Sequence, residues 1–263
     1  MERHRETVEL PAARIEVERV GGGPPLVLLQ SAEAYEAGLD LVDRLAGDRE
    51  VFLPWAPGYG GSPLPETVRT IDDVAYIYLD LIEHYDLRDI VLLGCSLGGW
   101  IAAEMATKTC ERLSRLILVD ALGAKFGGAY DRDIEDIYFL SFDKVKAIRF
   151  ADPRRDPLDD MTALGEDEAM QVARHRETTA RLCWDPYFHN PALKRRLHRI
   201  SVPTLVLWGE EDRFVRPEYG RAYAERIPDS RFVSIAGAGH YPHIEEPDAV
   251  LNAVSGFLNG GKG

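Results

Sequence analysis

The chain has 263 residues, 45% of them hydrophobic. That is enough for one large domain burying roughly 70–75% of its unfolded surface with no disulfide or metal to staple it. Lys and Arg number 31 against 44 Asp and Glu, a formal charge of −13, which argues against nucleic acid or a membrane as partner, since both select basic surfaces. The three cysteines, Cys95, Cys110 and Cys183, form no C-x-x-C pair and read as reduced thiols of a cytoplasmic protein. No secretory h-region follows Met1, and no apolar run approaches the ~20 residues of a membrane span.

Residues 8–10 and 14–20 read as strands, with Ile15, Val17 and Val20 set among charged neighbours as in a half-buried strand. Gly21-Gly22-Gly23-Pro24-Pro25 then breaks the chain. Leu26-Val27-Leu28-Leu29 is a short continuous apolar run, and similar runs recur at 51–53, 90–93, 116–119, 205–208 and 232–235. Such runs suit strands buried on both faces of a parallel sheet. Helical patterns lie between them. Residues 70–85 carry a Thr70/Asp73 capping box and place Val74, Ile77, Tyr78, Leu81, Ile82 and Tyr85 on one face. Residues 96–109, 217–226 and 248–258 supply further helices. Strands alternating with helices predict an α/β fold with a mostly parallel central sheet. The first two strands, with no crossover between them, should pair antiparallel.

The alternation fails between about residues 121 and 200. That stretch has helical patterns, such as 166–183, and the aromatic cluster Trp184-Asp185-Pro186-Tyr187-Phe188, but no buried strand. It reads as a helical insertion after the sixth strand. The expected division is a core of 1–121 and 200–263 and an insertion of 122–199.

Gly94-Cys95-Ser96-Leu97-Gly98-Gly99 fits G-x-S-x-G, with a buried strand before it and a helix after it. The sharp turn holds the serine hydroxyl at the carboxyl end of the sheet, where open α/β folds bind ligands. No phosphate-binding glycine loop is present. A serine nucleophile needs a base, usually histidine, and the histidine an acid to fix its tautomer. His240, in Ala236-Gly237-Ala238-Gly239-His240 after the last strand, is the better base, with His243 the alternative. Asp212, in Gly209-Glu210-Glu211-Asp212-Arg213, is the expected acid, with Asp120 after the sixth strand the second candidate. The spacing of His240, His243 and Glu245 matches no zinc motif, and neither metal nor cofactor is expected.

With Gly209-Glu210-Glu211-Asp212, Gly239-His240-Tyr241-Pro242-His243-Ile244-Glu245-Glu246-Pro247 and Pro57-Gly58-Tyr59-Gly60-Gly61-Ser62 in place, nearly the whole chain resembles the α/β-hydrolase fold family. The resemblance implies Ser96 as nucleophile, His240 as base and Asp212 as orienting acid. It also implies an oxyanion hole from the N–H groups of Leu97 and Ala32, and a cap at 122–199. The chain departs from the family after the third strand, where Gln30-Ser31 stands in place of the usual His-Gly and Glu33 follows. Trp55 stands where an aspartate is common. Gln30, Ser31, Glu33, Trp100, Tyr138, Trp184 and Tyr187 are the expected substrate-binding residues. The reading is an ester hydrolase working on a small, largely apolar substrate through an acyl-enzyme. A carbon–carbon bond hydrolase of ring-cleavage products and a slow-turnover ligand-binding protein on the same fold are the alternatives.

Overall fold

The computed structural model describes residues 2–32, 39–128 and 130–260. Its eight strands are β1 (Arg3–Glu9), β2 (Arg14–Gly21), β3 (Pro25–Leu29), β4 (Glu50–Pro54), β5 (Ile90–Cys95), β6 (Leu113–Val119), β7 (Thr204–Gly209) and β8 (Ser230–Ile235). They form one sheet in the order β1-β2-β4-β3-β5-β6-β7-β8. β1 and β2 pair antiparallel, as does β2 with β4, and the remaining pairs are parallel. β1 begins five residues before the apolar run that marks it in the sequence. Its outer half is an edge strand held by charge: Arg3 and Arg5 both bond to Glu18, a buried carboxylate on β2.

The continuous apolar runs have a direct cause, because both faces of the sheet are covered. Along β3, Val27 and Leu29 enter the core beneath α2 (Ile71–His84), α3 (Leu97–Lys108) and α7 (Pro217–Ala224). Leu26 and Leu28 point to the opposite core, beneath α1 (Leu39–Leu45) and α9 (Pro247–Asn259). This is the two-residue period of a strand with no solvent face. Truncating a fully buried residue such as Leu92 to Ala costs ~2–5 kcal/mol.

The helix at 70–85 forms as its pattern requires. Thr70 Oγ1 accepts the N–H of Asp73 at 3.2 Å, and Asp73 Oδ2 accepts that of Thr70 at 2.9 Å. The helix buries Val74, Ile77, Tyr78, Leu81 and Ile82. α1 does not stand out in the sequence, since seven residues are too few to show a period. Leu41, Val42 and Leu45 nonetheless anchor it to the sheet.

Between β6 and β7 the described residues hold no sheet strand. They contain α4 (Phe142–Arg149), α5 (Glu166–Cys183), α6 (Leu193–Arg196) and short 3-10 turns. α5 is tied to the turn after β4. Thr178 donates to the Gly58 carbonyl at 3.2 Å, Tyr59 and Thr179 share a hydroxyl pair at 2.7 Å, and Arg174 donates to the Gly60 carbonyl at 2.8 Å. The Gly60 N–H is accepted by His175 Nε2 at 3.1 Å. No described helix is long and apolar enough to cross a membrane.

Candidate active site

Ser96 lies between β5 and α3 with φ 52° and ψ −112°, a sparsely allowed conformation for a residue with a Cβ. Packing enforces it. A Cβ on Gly98 would fall 2.1 Å from the Leu29 carbonyl oxygen, and one on Gly94 would fall 2.3 Å from that of Gly98. Only glycine lets β3, β5 and α3 converge so closely. The turn leaves the serine 3% exposed at the carboxyl end of β5.

Two loops from the same end of the sheet meet it. The loop after β8 brings His240 Nε2 to 2.8 Å from Ser96 Oγ. The loop after β7 brings Asp212 Oδ2 to 2.7 Å from His240 Nδ1. Asp212 Oδ1 accepts the N–H groups of Phe214 and Val215, both at 2.9 Å. These donors fix the carboxylate and stabilise its charge. The Phe214 ring stands edge to face on the His240 ring with centroids 4.7 Å apart, and His240 and Asp212 are both buried. A carboxylate on Nδ1 leaves Nε2 as the lone-pair nitrogen, facing the hydroxyl. The arrangement can take a proton from Ser96 and return it.

The loop of His240 is itself braced. Its N–H donates to the Arg149 carbonyl at the end of α4. Glu245, on the short helix α8 (Pro242–Glu245), accepts the N–H groups of Gly239, Ala151 and Asp152 at 2.7, 3.2 and 3.0 Å. His243, the alternative base, is buried beside the Tyr241 ring. Burial, and secondarily the charge of His240, lowers it to about 4.

Gln30 and Ser31 line a cavity with Leu97, Trp55, Tyr59 and Ile101. Gln30 Nε2 is buried there with no partner among the described residues. Ala32 lines a neighbouring cavity with Val145, Arg149, His175 and Thr179 of the insertion. Glu33 lies outside the described residues.

The four expected aromatic residues have these settings. Trp100 points into the core, its Nε1 donating to Glu104 at 3.2 Å and its ring packed where a Cβ on Gly123 would sit. Trp184 is 59% exposed, edge-on to Tyr138 and Tyr187. Tyr138 donates to the Arg176 carbonyl, and the Tyr187 hydroxyl bonds the backbone of Ile137 and Glu135. Tyr138, Trp184 and Tyr187 contact one another and the insertion's own backbone, and Trp100 packs from α3 against Gly123. Arg149, His175 and Thr179 were not foreseen. They sit on helical faces of mixed polarity, and only the docking of α4 and α5 turns them toward Ala32.

Asp120, Asp212 and His240 bring one oxygen or ring nitrogen each to within 4.8 Å of one another. The imidazole and Asp212 are already bonded to each other in that trio.

The alpha/beta hydrolase family profile matches residues 21–253, and the chain belongs to that family. It is 29% identical to part of the polyketide synthase ThaQ of Burkholderia thailandensis, over 97% of this chain and 13% of the synthase. It is 27% identical to the pimeloyl-[acyl-carrier protein] methyl ester esterase of Aeromonas hydrophila, over 93% of this chain and 99% of the esterase. The chain spans less than two thirds of the length of several curated relatives it matches. A bacterial membrane phospholipase A superposes with a TM-score of 0.81 at 23% identity, covering 98% of this chain and 87% of that one.

Proposed function

We propose that the chain is a serine hydrolase that cleaves esters of small, largely apolar acyl groups. The observation that carries this reading is the continuous hydrogen-bonded file Ser96–His240–Asp212, with the serine on a strained strand-to-helix turn. Ser96 Oγ attacks the ester carbonyl as His240 Nε2 takes its proton. The tetrahedral oxyanion is met by the Leu97 N–H at the start of α3, where the helix end favours negative charge. Collapse expels the alcohol, which leaves with the proton from His240. Water then attacks the acyl-enzyme by the same steps and releases the acid. Asp212 keeps Nδ1 protonated and balances the imidazolium throughout.

In this reading the Ala32 N–H is the second oxyanion donor, and the buried, unpartnered Gln30 Nε2 is a further side-chain donor. The insertion 122–199 is a cap. Its helices α4 and α5 line a cavity together with Ala32, and in this reading they select the acyl group. The esterase name of the Aeromonas hydrophila relative, matched over nearly its whole length, favours an ester as the bond cleaved.

The test is hydrolysis of p-nitrophenyl acetate and butyrate by the wild type and Ser96→Ala. The expected result is turnover in the first and loss of ~10³-fold or more in the second, with a fluorophosphonate label mapping to Ser96. Equal inertness of two folded proteins, or a label on another residue, overturns the reading.

A further inference from the structure

Asp120 has no task in the reaction above, yet it lies against the catalytic file. It follows β6, is fully buried, and takes φ 45°, a left-handed conformation. Aspartate tolerates that region better than most residues, at some cost in strain. Its Oδ1 accepts the Gly209 N–H at 3.0 Å. Its Oδ2 is buried with no donor on it among the described residues, and an oxygen of the Asp212 carboxylate lies within 4.8 Å of one of its own. Both oxygens of Asp212 are committed, one to the backbone N–H groups of Phe214 and Val215 and the other to His240. Two carboxylates this close in a dry interior cannot both be ionised, so one of them holds a proton. The donor count decides which. Three N–H groups stabilise the charge of Asp212, and one serves Asp120.

We propose that Asp120 is held as the neutral carboxylic acid and donates its O–H to the Asp212 carboxylate, acting as a positioning residue that keeps a single negative charge behind His240. The inference rests on the Ser96–His240–Asp212 reading. The proton occupies the Oδ2 that otherwise has no partner, and it gives Asp212 a fourth donor. Burial first, and then the charge of Asp212, pushes the Asp120 carboxyl well above the usual carboxylate range. The groups that face it come from four elements. They are Asp212 after β7, His240 after β8, the Glu245 carboxylate of α8, which pushes in the same direction, and the Cys95 thiol of β5, itself pushed up by burial. None of them is a cation that would favour an ionised Asp120 at neutral pH, once His240 is the neutral base.

The experiment compares Asp120→Asn with Asp120→Leu in the full chain. Asparagine keeps the size and an N–H donor toward Asp212 but cannot ionise. Leucine removes the donor. The readout is the acidic limb of the kcat/KM profile on p-nitrophenyl acetate. With Asp120→Asn the limb stays within about a third of a unit of wild type. With Asp120→Leu it moves up by about one unit, because Asp212 loses a charge-assisted bond and holds the imidazolium proton more tightly. A downward shift of about two units in Asp120→Asn would mean that an ionised Asp120 had been removed, and it overturns the proposal. An unmoved limb in a folded Asp120→Leu overturns it too, since a merely structural role affects stability and leaves the profile in place. A second readout needs no turnover. The infrared spectrum at neutral pH should show a carboxylic-acid carbonyl band in wild type and in Ser96→Ala that Asp120→Asn abolishes. Its absence from both parents refutes the neutral acid, whether or not the chain hydrolyses esters.

Discussion

Asp212→Asn isolates the orienting acid with little disturbance of the loop that carries it. Asparagine is nearly isosteric, and its carbonyl oxygen can still accept the N–H groups of Phe214 and Val215, which hold Asp212 Oδ1 at 2.9 Å. The change falls on the other branch. Where Asp212 Oδ2 accepts from His240 Nδ1 at 2.7 Å, the variant presents an NH2 donor. A donor facing Nδ1 favours the tautomer with its proton on Nε2, so that nitrogen now points a hydrogen at Ser96 Oγ and has no lone pair to take the proton. The same exchange in a serine protease lowers kcat by ~10⁴, or about 5.4 kcal/mol at 1.36 kcal/mol per decade. We expect a loss of that order in kcat on p-nitrophenyl butyrate, with KM changed by less than about threefold, since the wrong tautomer affects the transition state and leaves ground-state binding intact. Thermal unfolding checks that the fold persists. A variant that keeps kcat within tenfold of wild type while folded refutes Asp212 as the orienting acid and shifts that role to Asp120.

Three further outcomes are expected. Gln30→Ala should cost ~10² in kcat if its buried Nε2 serves the oxyanion, and steady-state kinetics with an unchanged kcat would remove it from the site. His243 titrates at about 4 in the fold, against an ordinary 6.5. Its depressed value means the unfolded chain binds the proton first, so stability is complete above pH 6.5 and falls as pH drops toward 4, by up to ~1.4 kcal/mol per unit. Urea denaturation of His243→Leu across that window should show a shallower slope than wild type, and equal slopes would refute the assignment. Glu245→Ala strips the acceptor from the N–H groups of Gly239, Ala151 and Asp152, each left unsatisfied at ~1–3 kcal/mol. A melting point unchanged from wild type would show that the brace is not needed.

Much of the sheet is legible in the sequence because covering both faces writes an unbroken apolar run, as in Ile90-Val91-Leu92-Leu93. The trio Ser96, Asp212 and His240 is legible for a different reason. Each sits at a strand end whose local chemistry is spelled by neighbours: glycines around Ser96, a turn of acids before Asp212, glycines before His240. The settings of Trp100, Tyr138, Trp184 and Tyr187 are not legible, because composition records an aromatic ring but not the direction of its edge. Trp100 faces Glu104 and Gly123, and Trp184 faces solvent. Arg149 carries no local mark at all. Its burial depends on where the end of α4 meets the loop of His240, and that meeting is a tertiary fact. Asp120 lies between these cases, since its place after β6 is visible while its closeness to Asp212 depends on the parallel pairing of β6 with β7.

Two of the insertion's attachments, one at α4 beside the loops of Asp212 and His240 and one at α5 over the turn after β4, differ in kind. At the α4 end, the Arg149 carbonyl accepts the His240 N–H, the Ile148 carbonyl accepts the Arg213 N–H at 3.0 Å, and Glu245 gathers Ala151 and Asp152. Here the insertion shares backbone bonds with the loops that carry His240 and Asp212, which couples this end to His240. At the α5 end the bonds to Gly58, Tyr59 and Gly60 mostly run through side chains of Arg174, His175, Thr178 and Thr179. Side-chain bonds of this type are worth ~1 kcal/mol each net and can break and re-form without distorting the file.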